Sequence, residues 1–219
     1  MLRLHDYWRS SAAYRVRIAL NLKGLAYEAV PIDLLGGAQA SPANRAVNAQ
    51  GLVPTLVLPD GTALTQSLAI LQWLDDAHPE PPLWPADPIA RAQTTARALL
   101  VVADVHPLNN LRVLKRLEER FGADAAAKKD WYRHWVALGL DALEEMADGP
   151  GPFLGGAAPD VSDVCLVPQL FNARRFEVDL EPYPKLRAAD AAAAALPAFQ
   201  AAHPERVAPA ATSASNSSR

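Results

Sequence analysis

The chain has 219 residues, half of them hydrophobic, with 21 basic against 24 acidic side chains and a formal net charge of −3. That is enough for one large domain or two modest ones with a sizeable core, and the near balance of charge argues against a nucleic-acid surface or an acidic interaction tail. The single cysteine, Cys165, excludes an internal disulfide and a cysteine-based metal site, and the five histidines lack helical metal-ligand spacing.

The start, Met1-Leu2-Arg3-Leu4, has no signal-peptide apolar core, and no apolar run is long enough to cross a bilayer. A cytoplasmic location is expected. Leu2 to Tyr7, apolar at Leu2 and Leu4, reads as a strand. Arg9, Ser10 and Ser11 follow, and then Val16, Ile18, Ala19 and Leu22 at helical spacing. Ser10 or Ser11 is therefore a helix N-cap, beside free backbone N–H groups at the positive end of the helix dipole. Such a site suits an anion, a thiolate included. After a further strand, Leu52 to Leu58 places Pro54 at the entrance of an apolar β run, where it cannot serve a central ladder. A cis Val53-Pro54 bond would turn the Val53 main chain outward, with its N–H and C=O open to a bound peptide. Pro59-Asp60-Gly61-Thr62 reads as a hairpin turn. Gln66-Ser67 then opens a helix with Leu68, Ile70, Leu71 and Leu74 on its apolar face, and Ser67 is expected as its cap.

The run from His78 to Pro88 holds Pro79, Pro81, Pro82, Pro85 and Pro88 and reads as a stiff connector. Beyond it the patterning is helical. One long pattern from Ile89 to about Arg120 should bend or break near His106, because Pro107 interrupts it. Asp124 can cap a helix through Trp131, Trp135, Leu138 and Leu143, and Asp160-Val161-Ser162-Asp163 is a variant of the capping box. Cys165, between Val164 and Leu166, belongs in the core. The expected domains are 1–82, a linker over 83–90, an all-helical domain over 91–206, and a disordered tail over 207–219 rich in small polar residues.

The order strand, Ser-capped helix, strand, Val-Pro strand, hairpin, strand, Gln-Ser helix resembles the thioredoxin-like half of the glutathione transferases. The stretch from Arg9 to Leu20 is similar to the zeta-class signature Ser-Ser-Cys-x-x-Arg-x-Arg-Ile-Ala. The likeness continues through Gln66 to Ile70, Asp104 to Arg112, Asp163 to Gln169 and Ala173 to Leu180. Two positions depart from the pattern: Ala12 stands for the signature cysteine, and Ala49 for a proline. The resemblance implies an α/β thioredoxin-like N-terminal domain followed by an all-α domain, glutathione as cofactor, a homodimer, and no nucleic-acid or membrane partner.

It also implies roles. Gln66 and Ser67 would hold the γ-glutamyl group, the Val53 main chain beside Pro54 the cysteinyl amides, and Gln50 the tripeptide as well. Ser11 is the first candidate to stabilise the thiolate, with Ser10 as the alternative. Arg9 and Arg175 would meet the carboxylates of a maleyl diacid across an interdomain cleft. His106, Asn110 and Arg112 fall at the helix break facing it. Arg15 and Arg17 are expected to be structural or interfacial. The implied reaction is cis–trans isomerisation of maleylacetoacetate to fumarylacetoacetate in tyrosine and phenylalanine breakdown. Maleylpyruvate isomerisation, conjugation of electrophiles and a non-catalytic binding role are the alternatives.

Overall fold

Leu4 and Asp6 point inward from the first strand, but only Leu4 is apolar. The carboxylate of Asp6 is tolerated there because Arg17 meets it with two hydrogen bonds, at 2.7 and 2.8 Å. This pair organises the first of two units seen in the computed structural model, which describes residues 1–147 and 149–209. Residues 1–81 group with residues 195–209, and the described residues of 82–194 form the second unit.

In the first unit β1 (Leu2–Asp6) runs parallel to β2 (Tyr27–Pro31), with α1 (Ser11–Leu22) connecting them. β3 (Thr55–Val57) lies antiparallel to β1, and β4 (Ala63–Thr65) antiparallel to β3, giving the order β2-β1-β3-β4. The expected turn joins the last two strands. Leu58 N–H bonds the Thr62 carbonyl at 2.8 Å, Asp60 accepts from the Thr62 N–H, and Gly61 takes φ 91°. Between β2 and β3 the short helix α2 (Pro42–Val47) starts on a Ser41 cap. After β4 comes α3 (Ser67–Ala77).

α1 is a core helix. Ala13, Val16, Ile18, Ala19 and Leu20 are fully buried, against α3 on one side and the C-terminal α9 (Pro197–Ala202) on another. Asn21 donates to the Ala198 carbonyl and Arg17 to that of Ala202, and the rings of Tyr14 and His203 meet edge to face. Residues 195–206, expected in the helical domain, therefore pack on the first unit. Val207 ends the helix α10 (Pro204–Val207), so the expected disordered tail does not begin there, and 210–219 lie outside the described residues.

The second unit is helical: α4 (Pro88–Leu99), α5 (Leu111–Phe121), α6 (Ala125–Met146), α7 (Val161–Arg175) and α8 (Pro184–Ala194). The expected connector ends at Asp87, whose side chain caps α4. Pro88 is the first helical residue, where its missing N–H costs nothing. The long pattern from Ile89 is broken as expected: a π-helical turn over Leu100–Val105 follows α4, and a turn over 106–110 leads into α5. Gly139 of α6 makes room for that turn, since a Cβ there would stand 2.1 Å from Val105 Cγ2. α7 is buried along almost its whole length and packs against α4 and α8. Its start has the full capping box. Asp160 accepts from the Ser162 N–H at 2.7 Å, and Asp163 from the N–H groups of Asp160 and Leu154, each at 3.0 Å. Thr94 and Arg97 of α4 face the other Asp160 oxygen, at 3.2 and 3.9 Å.

Two predictions follow from these buried charges. Breaking a buried pair by removing one partner costs about 3–5 kcal/mol, whereas replacing both by apolar groups costs far less. Arg17→Met should therefore destabilise by about 3–5 kcal/mol, and Asp6→Leu/Arg17→Met should recover most of the loss, as read from denaturant unfolding. The second concerns Asp163, whose carboxyl is lifted from 3.8 to about 7 by burial and by the charge of Asp160. The folded state then keeps a proton that the unfolded chain has released, so this group's contribution is full below 3.8 and is lost as pH rises through about 7. An unfolding series across that window should show stability declining more steeply with pH in the wild type than in Asp163→Asn.

Candidate functional site

The strand register gathers three segments of the first unit at one edge of the sheet. His5 pairs with Thr55 and Thr55 with Thr65, which aligns the C-terminal end of β1, the N-terminal end of β3 and the C-terminal end of β4. Arg9 to Ser11, Val53-Pro54 and Gln66-Ser67 therefore adjoin the same edge, together with the N-termini of α1 and α3. Both termini present backbone N–H groups and positive helix-dipole ends.

Of the two serines, Ser10 is the cap. Its Oγ accepts from the Ala13 N–H at 3.3 Å, and its own N–H bonds the Tyr7 carbonyl at 2.8 Å. Ser11 is the first helical residue, largely buried, with a hydroxyl not used in the cap. The Arg9 guanidinium lies 4.2 Å from the centre of the Trp8 ring, a cation–π contact. Beneath this loop Arg17 donates to the Trp8 carbonyl at 3.1 Å.

Val53-Pro54 is cis. Among the described residues the Val53 N–H and C=O take no hydrogen bond, so both are open to a ligand. Asn48, buried at 2% exposure, shapes this approach: its amide donates to the Leu52 carbonyl and the Thr55 hydroxyl, and its oxygen accepts from the Gln50 N–H. Gln50 in turn accepts from the Gln66 amide at 2.7 Å, which brings two of the expected site residues together.

Ser67 is not the expected cap. Gln66 occupies that position at φ 66°, without a side-chain capping bond, and Ser67 is the first helical residue. Its hydroxyl accepts from Arg15 Nη1 at 3.2 Å, both groups being buried. The pairing lies 52 positions apart in sequence, so no local capping signal could reveal it. A non-glycine residue at positive φ is a strained backbone position that persists only where the surrounding structure holds it.

In the second unit the His106 N–H bonds the Val101 carbonyl at 2.9 Å, closing the π-helical turn. Asn110 caps α5, its side chain accepting from the Arg112 N–H at 3.1 Å, and Arg112 is exposed in the first turn. The neighbouring Asn109 is buried at 8% exposure, and neither of its side-chain amide atoms has a hydrogen-bond partner among the described residues. Arg175 is exposed at the end of α7, 3.3 Å from the Asn172 side-chain oxygen, while Arg174 pairs with Asp190. The sequence reading thus passed over Asn48, Asn109 and the contact of Arg15 with Ser67. For the asparagines, the only signal was their place inside motifs already singled out.

Comparison with known proteins assigns both parts of the chain. Residues 4–82 match the model of the glutathione S-transferase N-terminal domain, and residues 129–189 that of the C-terminal domain. A maleylacetoacetate isomerase from Rhizobium meliloti is 49% identical over 208 residues, covering 94% of this chain and 97% of its own length. A solved bacterial maleylpyruvate isomerase of the zeta class superposes with a TM-score of 0.91 at 42% identity, over 93% of this chain and 97% of the other. A maleylacetoacetate isomerase from Methylobacterium extorquens AM1, solved with malonate and glutathione bound, gives 0.90 at 40% identity, over 93% and 97%. On these matches, together with the sheet order and the paired helix N-termini, the chain belongs to the zeta class of the glutathione S-transferase family.

Proposed function

We propose that this enzyme is a glutathione-dependent cis–trans isomerase that converts maleylacetoacetate to fumarylacetoacetate, a step in the breakdown of tyrosine and phenylalanine. The observation that carries the reading is the edge of the sheet where the unbonded Val53 main chain lies with the N-termini of α1 and α3. The donor set fits the tripeptide. The Ser67 hydroxyl and the start of α3 suit the γ-glutamyl carboxylate, the Val53 N–H and C=O suit an extended cysteinyl backbone, and the Gln50–Gln66 amide pair offers further polar contacts. The one cysteine, Cys165, is fully buried in α7, so an accessible protein thiol is not available for the reaction.

When bound, glutathione supplies a thiolate that adds reversibly to the cis double bond, which becomes single and can rotate before the thiolate leaves unchanged. In this reading the start of α1 and the Ser11 hydroxyl favour the charged sulfur, as a helix N-terminus does for any anion. Ser10 already serves as the cap, which leaves Ser11 the better placed of the two. Arg9 is assigned to the negative charge that develops next to the reacting carbons, and Arg175 to a substrate carboxylate, by the two-pronged geometry of a guanidinium. His106, Asn110 and Arg112 are assigned to the cofactor side. For Asn110 only the part of its amide not used in capping α5 remains available. Cytoplasmic location and a homodimer complete the proposal. The likeness to a zeta-class maleylpyruvate isomerase favours a second substrate of the same shape, maleylpyruvate.

Glutathione should be required but not consumed. Free thiol measured during turnover of either maleyl acid should stay constant, while stoichiometric loss would indicate a conjugating transferase and turnover without glutathione would exclude the mechanism. Ser11→Ala should raise the pKa of the bound thiol and slow the reaction by about one to two decades, the worth of one hydrogen bond to a charged group (roughly 1.5–3 kcal/mol). Because Ser10 keeps the cap, the thermal midpoint should change little. The pH–rate profile checks this, and an unshifted profile would pass the role to Ser10 or to the helix end alone.

A further inference from the structure

The end of α7 is held more firmly than a surface helix terminus requires. Arg175 is its last residue. Just beyond it, the Val178 N–H bonds the Ala173 carbonyl at 2.9 Å and the Glu177 N–H the Arg174 carbonyl at 3.0 Å. That pair of bonds is the Schellman pattern, and it puts Glu177 at the left-handed position, φ 55°, where glycine is the usual residue. A glutamate there is compensated from α6. Arg133 donates Nε to the Phe176 carbonyl at 2.6 Å and Nη2 to the Glu177 carboxylate at 2.9 Å, and Lys129 reaches the same carboxylate oxygen at 2.8 Å. The Tyr132 ring lies flat on that of Phe176, with centroids 3.6 Å apart and planes within 5°.

As contributions to stability these ties are weak. Glu177 is largely exposed, and ion pairs in water are worth little. Their effect is geometric: two consecutive residues of α6, Tyr132 and Arg133, and Lys129 a turn earlier hold both residues that follow Arg175. The arrangement fixes the direction of the last turn of α7 and so the place from which the Arg175 side chain starts. We propose that Glu177, clamped by Arg133 and Lys129, is a positioning residue that holds Arg175 where it meets a substrate carboxylate. The inference rests on the assignment of Arg175 to that carboxylate.

The test separates position from stability. Glycine suits the left-handed site better than glutamate, so Glu177→Gly should fold at least as well as the wild type and lose only the clamp. With glutathione saturating, titration with malonate should show Glu177→Gly and Arg133→Ala each binding the diacid about three- to tenfold more weakly, short of the hundredfold that ~1 Å of misplacement can cost. KM for a maleyl acid should rise in parallel, with a smaller change in kcat and no change in glutathione affinity. In an Arg175→Ala background neither substitution should weaken malonate binding further. A stable Glu177→Gly enzyme that binds malonate as the wild type does, or clamp effects that add to Arg175→Ala, would overturn the positioning role. Unchanged malonate binding in Arg175→Ala alone would instead overturn the assignment of Arg175, whatever the clamp variants do.

Discussion

Arg17 sits at 1% exposure, and a buried guanidinium is tolerable only when acceptors surround it. It has four: both oxygens of Asp6, the Trp8 carbonyl and the Ala202 carbonyl. They come from three places in the chain: the end of β1, the loop that enters α1, and α9. One side chain thus fixes where β1 ends, the path of the segment carrying Arg9 and Ser10, and the return of the C-terminal residues onto the first unit. Lys23 does similar work at the other end of α1. Its ammonium meets Asp75 of α3 at 2.7 Å and the Pro81 carbonyl at 2.6 Å, holding the last turn of α1 against α3. α1 is consequently both a deeply buried helix of its unit and the one whose first turn carries Ser11. The positive end of its dipole is immobilised by charges placed further along the same helix.

The same economy appears where α1 meets α3. Arg15 lies one residue past the first turn of α1, and its contact with Ser67 ties the two helix N-termini to each other across the buried side of the site. Asn48 performs the equivalent task for the backbone before Pro54, joining Leu52, Thr55 and Gln50 through a single amide. Neither residue belongs to the set expected to touch a ligand. Each holds in place a group that does belong to that set, and a buried polar network of this kind restricts its surroundings to one arrangement only when its members are satisfied together.

How far the sequence could be read depends on the range of each interaction. Strand alternation at Leu2 and Leu4, the Pro59–Thr62 turn, the break at Pro107 and the capping box at Asp160 are all local, and each appears where the pattern placed it. Ser67 was misread because a hydroxyl before an apolar helical run has the look of a cap, whereas its partner lies on another helix. The attachment of 195–206 to α1 rests on bonds from Arg17 and Asn21 to carbonyls 185 and 177 positions away, which composition does not encode. Pro88 was assigned to the connector because proline breaks helices in their interior, yet at the first helical position it starts one.

Ala12 shows which parts of the signature the site chemistry depends on. It is the second residue of α1, and its N–H takes no hydrogen bond among the described residues. A cysteine at this position would add a weak S–H donor, and its replacement removes that donor while leaving the backbone unchanged. The elements to which the proposal assigns a thiolate are the open N–H, the dipole of a helix held by Arg17 and Lys23, and the Ser11 hydroxyl, none of which involves the missing thiol. Helix-end stabilisation is also strongest within the first turn, where Ser11 and Ala12 lie. The substitution of Ala12 therefore weakens the resemblance to the signature without dismantling the physical basis for holding a thiolate, which resides in the main chain and in how firmly α1 is seated.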